Sequence, residues 1–228
     1  MDALAAAQVP GGGEVPDVAG VIVGWRAWRV VQRSGGPELV APVRGTRWSP
    51  GRATHARCTS GHHDAAAIPA ADCRCGLYAV ADPRGVVGQD GPGAVLGCAA
   101  LYGDVLEGSR GWRASRGVVR VLVAGPDVDD ATCRGLAARY GVPVRRAATS
   151  LTTLATGLAA HRADADALRR AVGRAVDGTA DGTAAGPGAR LDACLRAVAP
   201  RPEPPAPSVR ALALVLLTTL AVLLVVAV

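Results

Sequence analysis

The sequence predicts an α+β protein: a small β-rich sheet or barrel with a few helices, followed by a transmembrane helix at the C-terminal end. Three observations support this fold class. Short runs of β-branched and aromatic residues alternate with Gly and Pro through the first half of the chain. No long amphipathic helix interrupts these runs. An uninterrupted apolar stretch closes the chain.

The first predicted strand covers residues 21–31, which are rich in Val, Ile and Trp and end at a Ser-Gly-Gly-Pro turn. Further runs of this kind occupy 38–44, 76–81, 94–106 and 118–123. The tetrapeptide Gly-Trp-Arg-Ala occurs in two separate places, so the two strands that carry it could pair or occupy equivalent positions. The abundance of Gly, Arg and Ala explains the repeat nearly as well.

A β-α-β unit is expected to begin with the last of these strands, 118–123. Residues 129–140 carry acidic side chains in the first turn and are followed by Gly141, which is the pattern of a helix with a glycine stop. A short extended segment, 142–144, comes next. Residues 151–175 predict another helix with a rough apolar stripe, formed by Leu151, Leu154, Leu158, Leu168 and Val172.

These patterns divide the chain into five segments. Residues 1–17 are expected to be disordered, 18–148 to form a β-rich globular domain with its closing helix, and 149–176 to form a helical extension. A tether rich in Gly, Ala and Pro over 177–208, with a short helix towards its end at Arg190 to Val198, leads to a transmembrane helix at 209–228.

The transmembrane prediction rests on residues 211–228, which contain no charge, Gly or Pro. A helix of this length spans about 27 Å. A buried core helix is the weaker alternative, because the stretch is apolar on every face and follows a Pro-rich segment. Arg201 and Arg210 precede it and nothing follows Val228, so the positive-inside rule predicts a single-pass, tail-anchored protein. The bilayer is then a partner, and the N-terminal domain is cytoplasmic.

All 25 basic residues are Arg, and the formal net charge is +6. This charge favours anionic partners, but the Arg residues are scattered, so nucleic-acid binding is a weak expectation. The N-terminus lacks the basic and apolar regions of a signal peptide. The six Cys are therefore expected in a reducing compartment, where clustered Cys bind metal more often than they form disulfides.

A cluster of metal-ligating residue types begins at Cys58, which is followed by His62, His63 and the pair Cys73 and Cys75. Thiolate and imidazole are the ligands that Zn²⁺ prefers, so the sequence predicts a closed, structural zinc site formed by the three Cys and one of the two His. Zinc is thus the expected cofactor. The alternative is a strand with alternating Cys and solvated His, because C-x-C is tighter than the usual zinc knuckle.

No catalytic residue is assigned, because the sequence contains no nucleophile elbow, P-loop, H-E-x-x-H or Rossmann glycine pattern in a credible context. A nucleophilic pair of Cys58 with His62 or His63 is the alternative. The sequence identifies no carboxylate to orient it, since Asp64 and Asp72 could as easily be loop residues.

Exposed Trp and Arg are frequent anchors of protein interfaces. The candidate binding surface consists of Trp25, Arg26, Trp28, Trp48, Trp112 and Arg113. In a chain without Phe, the Trp side chains could instead form the core, which is the stronger expectation for at least two of them.

The segments WRAWRV, GTRWSPG, CRCGLYA, LYGDVLE and RYGVPV, together with Cys58 and the His pair, occur in this order over about residues 20–145. In this order they resemble an actinobacterial protein family with no known activity. The resemblance implies a genuine domain in which the Cys and His positions matter. The chain departs from the family at Asp104, where the family tends to carry Arg, and at Ser49, which is inserted in the Trp-Pro-Gly turn.

The first functional hypothesis is therefore a non-enzymatic, membrane-tethered interaction module that faces the cytoplasm, is stabilised by zinc and binds a protein partner. A Cys/His-dependent enzyme is the alternative. A nucleic-acid-binding domain that uses Arg and aromatic side chains is the weakest hypothesis.

Overall fold

The structure is a computed structural model that describes residues 21–89, 91–176 and 187–198. The strands are β1 (Ile22–Arg33), β2 (Gly36–Val40), β3 (Thr54–His55), β4 (Leu77–Val80), β5 (Ala94–Gly108), β6 (Gly111–Ala124) and β7 (Val144–Arg146). The helices are α1 (Asp130–Tyr140), α2 (Leu151–Ala160), α3 (Arg162–Val176) and α4 (Pro187–Val198). Short 3-10 turns occupy Ala65–Ala67 and Pro83–Val86. The α+β prediction is confirmed.

The antiparallel strands close into a ring. β1 pairs with β5, β5 with β6, β6 with β4, and β4 returns to β1 through Trp25 and Val80. β2 extends the ring beside β1, and β3 pairs with β6. The two copies of Gly-Trp-Arg-Ala do not pair with each other. They lie on either side of β4, with Trp25 opposite Val80 and Trp112 opposite Ala79.

Parts of β1, β5 and β6 are buried on both faces, since successive side chains of a strand point to opposite sides and both sides are covered there. One apolar cluster, called the inner cluster below, includes Trp28, Leu101 and Leu122, together with Leu136 of α1. In a second cluster, called the helix-side cluster, the opposite side chains of the same strands are buried against the helices. It includes Trp25, Leu96, Val121, Leu158, Leu168 and Leu191.

The β-α-β unit is present, since β7 pairs in parallel with β6 and α1 lies between them. Asp129 caps α1 by accepting a hydrogen bond from the Thr132 amide at 2.6 Å, and Gly141 ends it in the left-handed conformation with φ 65°. The hydroxyl of Tyr140 donates to the carbonyl oxygen of Trp48 at 3.0 Å and accepts from the amide of Leu39 at 2.8 Å. The last turn of α1 is thereby fixed to the β2 region.

The helix expected over 151–175 is divided at His161 into α2 and α3. Part of the segment predicted as a tether is also folded. The short helix expected towards its end is present and begins at Pro187. Leu191 and Cys194 of α4 are buried, and Arg145 forms two hydrogen bonds to Asp192, at 2.6 and 3.1 Å.

Within the part of the chain that the structure describes, no helix is long and apolar enough to cross a bilayer. The predicted transmembrane segment 209–228 and the predicted disordered segment 1–17 lie outside the described residues.

Candidate metal centre

Four predicted metal ligands meet at one end of the strand ring. Cys58 and His63 lie in the loop that follows β3, and Cys73 and Cys75 come directly before β4. The three Sγ atoms and one imidazole nitrogen all lie within 4.8 Å of one another. These side chains are therefore close enough to bind one metal ion.

The spacing of the ligand atoms fits a tetrahedral centre. The Sγ atoms of Cys58 and Cys73 are 3.8 Å apart, and the Cys58 Sγ is 3.7 Å from Nδ1 of His63. In a tetrahedral zinc site with Zn–S near 2.3 Å and Zn–N near 2.05 Å, the corresponding separations are about 3.8 and about 3.6 Å. Three thiolates and one imidazole form a complete ligand set for structural Zn²⁺.

The orientation of His63 matches that of a metal-bound imidazole. Its Nε2 lies 3.3 Å from Oδ1 of Asp72, while Nδ1 faces the thiols. A proton on Nε2 that is donated to the carboxylate leaves the Nδ1 lone pair available to a metal. Metal-ligating His residues commonly make this second hydrogen bond, which fixes both the tautomer and the ring orientation.

Hydrogen bonds also reach the sulfur atoms. The amide of Ala70 donates to the Sγ of Cys75 at 3.4 Å, and the Ser60 hydroxyl lies 3.2 Å from the Sγ of Cys58. The hydrogen bond from Ser60, followed by that from His63, lowers the pKa of Cys58 to about 5. Burial raises the pKa of Cys75, whose side chain is the most deeply placed of the three.

The loop between β3 and β4, residues 56–76, is called the metal loop below and is held in place by a small number of contacts. Ile68 is buried in the inner cluster and is the apolar anchor of the segment between the two ligand pairs. Arg113 of β6 donates from Nη1 to the carbonyl oxygens of Cys73 and Cys75. Gly76 adopts φ +120°, and a Cβ at this position would approach the Cβ atoms of Arg113 and Pro69 to 3.2 Å. A residue other than Gly would strain this close approach.

The structure distinguishes between the two candidate His residues. His63 belongs to the cluster, whereas His62 is exposed and its ring centroid lies 6.5 Å from that of His63. His62 therefore lies outside the four-residue cluster. Neighbouring residues of a loop point in different directions, and the sequence alone could not decide which imidazole faces the thiols.

Three of the six predicted binding-surface residues form core instead. Trp25 is 1% exposed, Trp28 is 0% exposed and Trp48 is 1% exposed. The rings of Trp28 and Trp48 meet edge to face, with centroids 5.3 Å apart, inside the inner cluster. The core interpretation is therefore correct for these side chains, because large aromatic rings fill the interior of a chain that has no Phe.

The other predicted binding residues are half-buried. The guanidinium of Arg26 lies 4.9 Å from the ring of Trp48 and donates to the carbonyl oxygen of Tyr78. Burial lowers the pKa of Arg26 to about 10. Trp112 is covered by the guanidinium of Arg169, 5.5 Å from its ring. Arg113 is the member of the predicted surface that contacts the metal loop.

The supporting residues of the site are not predicted from the sequence. Asp72 fits an ordinary loop residue there, and no pattern singles out Ser60 or Ala70. The signal for Asp72 is its position directly before Cys73, which places a carboxylate next to a candidate ligand in the sequence. The two hydrogen bonds to sulfur depend on the path of the loop, which residue spacing does not encode.

Comparison of the chain with protein-family models, with curated proteins and with solved structures gives no match. The resemblance of its motifs to an actinobacterial family therefore stays a prediction.

Proposed function

We propose that the protein is a non-enzymatic interaction module whose β3–β4 loop is organised by Zn²⁺. The observation that supports this most strongly is the convergence of Cys58, His63, Cys73 and Cys75 within 4.8 Å. A tetrahedral ion with four protein ligands has no position left for water or substrate, so such a site is structural.

Zinc fits this ligand set better than the other common ions. Mg²⁺ and Ca²⁺ take oxygen ligands, whereas three thiolates and an imidazole suit Zn²⁺. The loop from 56 to 76 contains little regular structure, and Ile68 is its deeply buried aliphatic side chain. Metal binding would supply the order that apolar burial supplies elsewhere, so metal binding and loop folding are coupled.

The experiment is metal analysis of the full chain, purified in detergent, with a matched pair of variants. Wild-type protein should contain one zinc per chain, and Cys73→Ser should lower both zinc content and thermal stability. Cys194→Ser is the control, because Cys194 is buried outside the cluster and its Sγ donates to the Asp164 carbonyl oxygen at 3.2 Å, a bond that Ser can keep. Equal zinc loss in both variants, or none in Cys73→Ser, would contradict the proposal.

Membrane attachment through residues 209–228 and a cytoplasmic position of the N-terminal domain belong to the same proposal. They are supported by the uninterrupted apolar sequence and by the position of Arg201 and Arg210 before it. A chain without 209–228 should move from the membrane pellet to the soluble fraction, and a reporter at Met1 should be cytoplasmic. Retention of the truncated chain in the pellet after a salt wash would contradict the anchor.

A thiol enzyme is the second candidate, because Cys58, His63 and Asp72 are arranged as a nucleophile, a base and an orienting carboxylate. The position of Cys73 argues against an enzyme. Its Sγ lies only 3.8 Å from that of Cys58, so a second thiol would compete with Cys58 for the substrate. Alkylation with iodoacetamide separates the two. The zinc site predicts slow labelling of Cys58 that becomes fast after chelation, whereas the enzyme predicts fast labelling of metal-free protein that slows in Asp72→Ala.

A further inference from the structure

We propose that an exposed patch beside the metal loop binds an acidic peptide segment of a protein partner. The patch, called the Tyr78 patch below, consists of the exposed residues Val43, Arg44, Arg74 and Tyr78 together with half-buried Arg113. The inference rests on the proposed function, because it names the partner class of that interaction module.

Tyr78 lies at the centre of the patch. Its side chain is 37% exposed, and the guanidinium groups of Arg44 and Arg113 lie 6.0 and 5.9 Å from its ring centroid. Its hydroxyl donates to the carbonyl oxygen of Arg74 at 2.6 Å. The ring is thus held in one orientation at the surface, and a rigid aromatic side chain loses little conformational entropy on binding.

The positive charge of the patch is not neutralised by any carboxylate among the described residues. The ion pairs among the described residues that involve Arg use Arg84, Arg139, Arg145, Arg146 and Arg169. Arg44, Arg74 and Arg113 form none with a described carboxylate. Three guanidinium groups without carboxylate partners leave a local excess of positive charge, which favours an anionic partner.

The patch also has an apolar component. Val43 precedes Arg44 in the chain and is 64% exposed, which makes it the most exposed of the large hydrophobic side chains among the described residues. Tyr and Arg are the residue types that most often dominate protein interfaces. An occupant that matches both components carries carboxylates for the Arg side chains and apolar side chains for Val43 and Tyr78.

A peptide fits these features better than nucleic acid does. Binding of single strands relies on free aromatic faces on which bases stack. The Tyr78 ring is already engaged by two guanidinium groups, and its hydroxyl is used within the chain. Carboxylates, by contrast, can form paired hydrogen bonds with those guanidinium groups.

The patch is connected to the metal loop through Arg113, which donates to the carbonyl oxygens of Cys73 and Cys75 while its guanidinium lies near Tyr78. The carbonyl that Tyr78 contacts belongs to Arg74, the residue between these two Cys. Order in the loop therefore helps to position the Arg113 side chain and the backbone of Arg74. Removal of zinc should weaken peptide binding even though no ligand of the metal lies in the patch.

The test is fluorescence anisotropy with a short fluorescein-labelled peptide of Glu with interspersed Leu, added to the zinc-loaded full chain at low ionic strength. The same peptide with Gln in place of Glu is the probe control. Saturable binding of the Glu peptide is expected. The double variant Arg44→Glu and Arg74→Glu should weaken it about tenfold or more, because it reverses the charges that face the carboxylates.

The matched control is the double variant Arg134→Glu and Arg170→Glu, which makes the same change in net charge at exposed positions on α1 and α3. It should keep affinity within about twofold. Equal weakening in both double variants, no saturable binding, or stronger binding of single-stranded DNA or phosphatidylserine vesicles would overturn the proposal. Zinc content is measured in every sample, so a failed metal site is distinguished from a patch that does not bind peptide.

Discussion

Two regions of this molecule differ in how they are ordered. On one side of the strand ring, α2, α3 and α4 bury a continuous apolar cluster against β1, β5 and β6. The loop from 56 to 76 instead has Ile68 in the core and four candidate metal ligands. The first region is stabilised by apolar burial, and under the proposed function the second is stabilised by metal binding. Perturbations that affect one region should therefore leave the other largely intact.

The largest effect is expected from Cys75→Ser. Cys75 is 1% exposed and its sulfur accepts from the Ala70 amide, so the variant removes a ligand and leaves a polar group in the same buried position. Zinc content should fall from one per chain to near zero. Hydrogen exchange should rise over 56–76 and stay unchanged over 151–172. Equal loss of protection in both regions would contradict their independence.

The next effect is expected from Leu168→Ala in α3. Leu168 is 0% exposed within the helix-side cluster. The cavity left by truncation of a buried Leu lowers the free energy of unfolding by about 2–5 kcal/mol. Chemical denaturation of the full chain measures this loss, and metal analysis should still find one zinc per chain. Loss of zinc from the folded variant would show that the two regions are coupled.

Asp72→Asn should have a smaller effect, confined to the metal. The Asp72 carboxylate lies 3.3 Å from Nε2 of His63, and loss of such a second hydrogen bond lowers metal affinity about 10–100-fold. Competition with a chromophoric chelator measures the affinity. Asp64→Asn is the control, since Asp64 lies in the same loop and outside the ligand cluster. Equal affinities of the two variants would remove Asp72 from the site.

The smallest effect is expected from Asp129→Ala. Its side chain caps α1 by accepting from the Thr132 amide at 2.6 Å, and loss of such a cap lowers the free energy of unfolding by about 1 kcal/mol. Thermal denaturation measures the change, while zinc content should remain that of the wild type. A change in zinc content would mean that α1 contributes to the order of the metal loop.

Much of the strand framework could be predicted from the sequence, because runs of β-branched and aromatic residues bounded by Gly and Pro are local signals. The predicted strand at 94–106 corresponds to β5, and the predicted helix at 129–140 corresponds to α1 and its cap. Closure of the strands into a ring depends on pairing between distant segments. Among the described residues β4 pairs with β1 through one ladder pair, Trp25 and Val80, and no local pattern encodes that pairing.

The candidate metal site was largely predictable because its ligand types are rare in this chain. Six Cys and four His stand among 228 residues, so a cluster of five within 58–75 is a clear signal. The choice of His63 over His62 and the role of Asp72 depend on side-chain direction, which spacing does not specify. The Trp residues were harder to assign, since Trp serves equally in cores and at interfaces and only burial distinguishes them.

X-ray absorption at the zinc edge of the purified full chain measures the ligands of the proposed zinc site directly. A closed zinc site predicts three sulfur ligands at about 2.3 Å and one nitrogen ligand at about 2.0–2.1 Å, with no oxygen ligand. The nitrogen contribution should disappear in His63→Ala and persist in His62→Ala. Protein without zinc, or a spectrum with oxygen ligands that His63→Ala does not change, would contradict a closed site formed by Cys58, His63, Cys73 and Cys75.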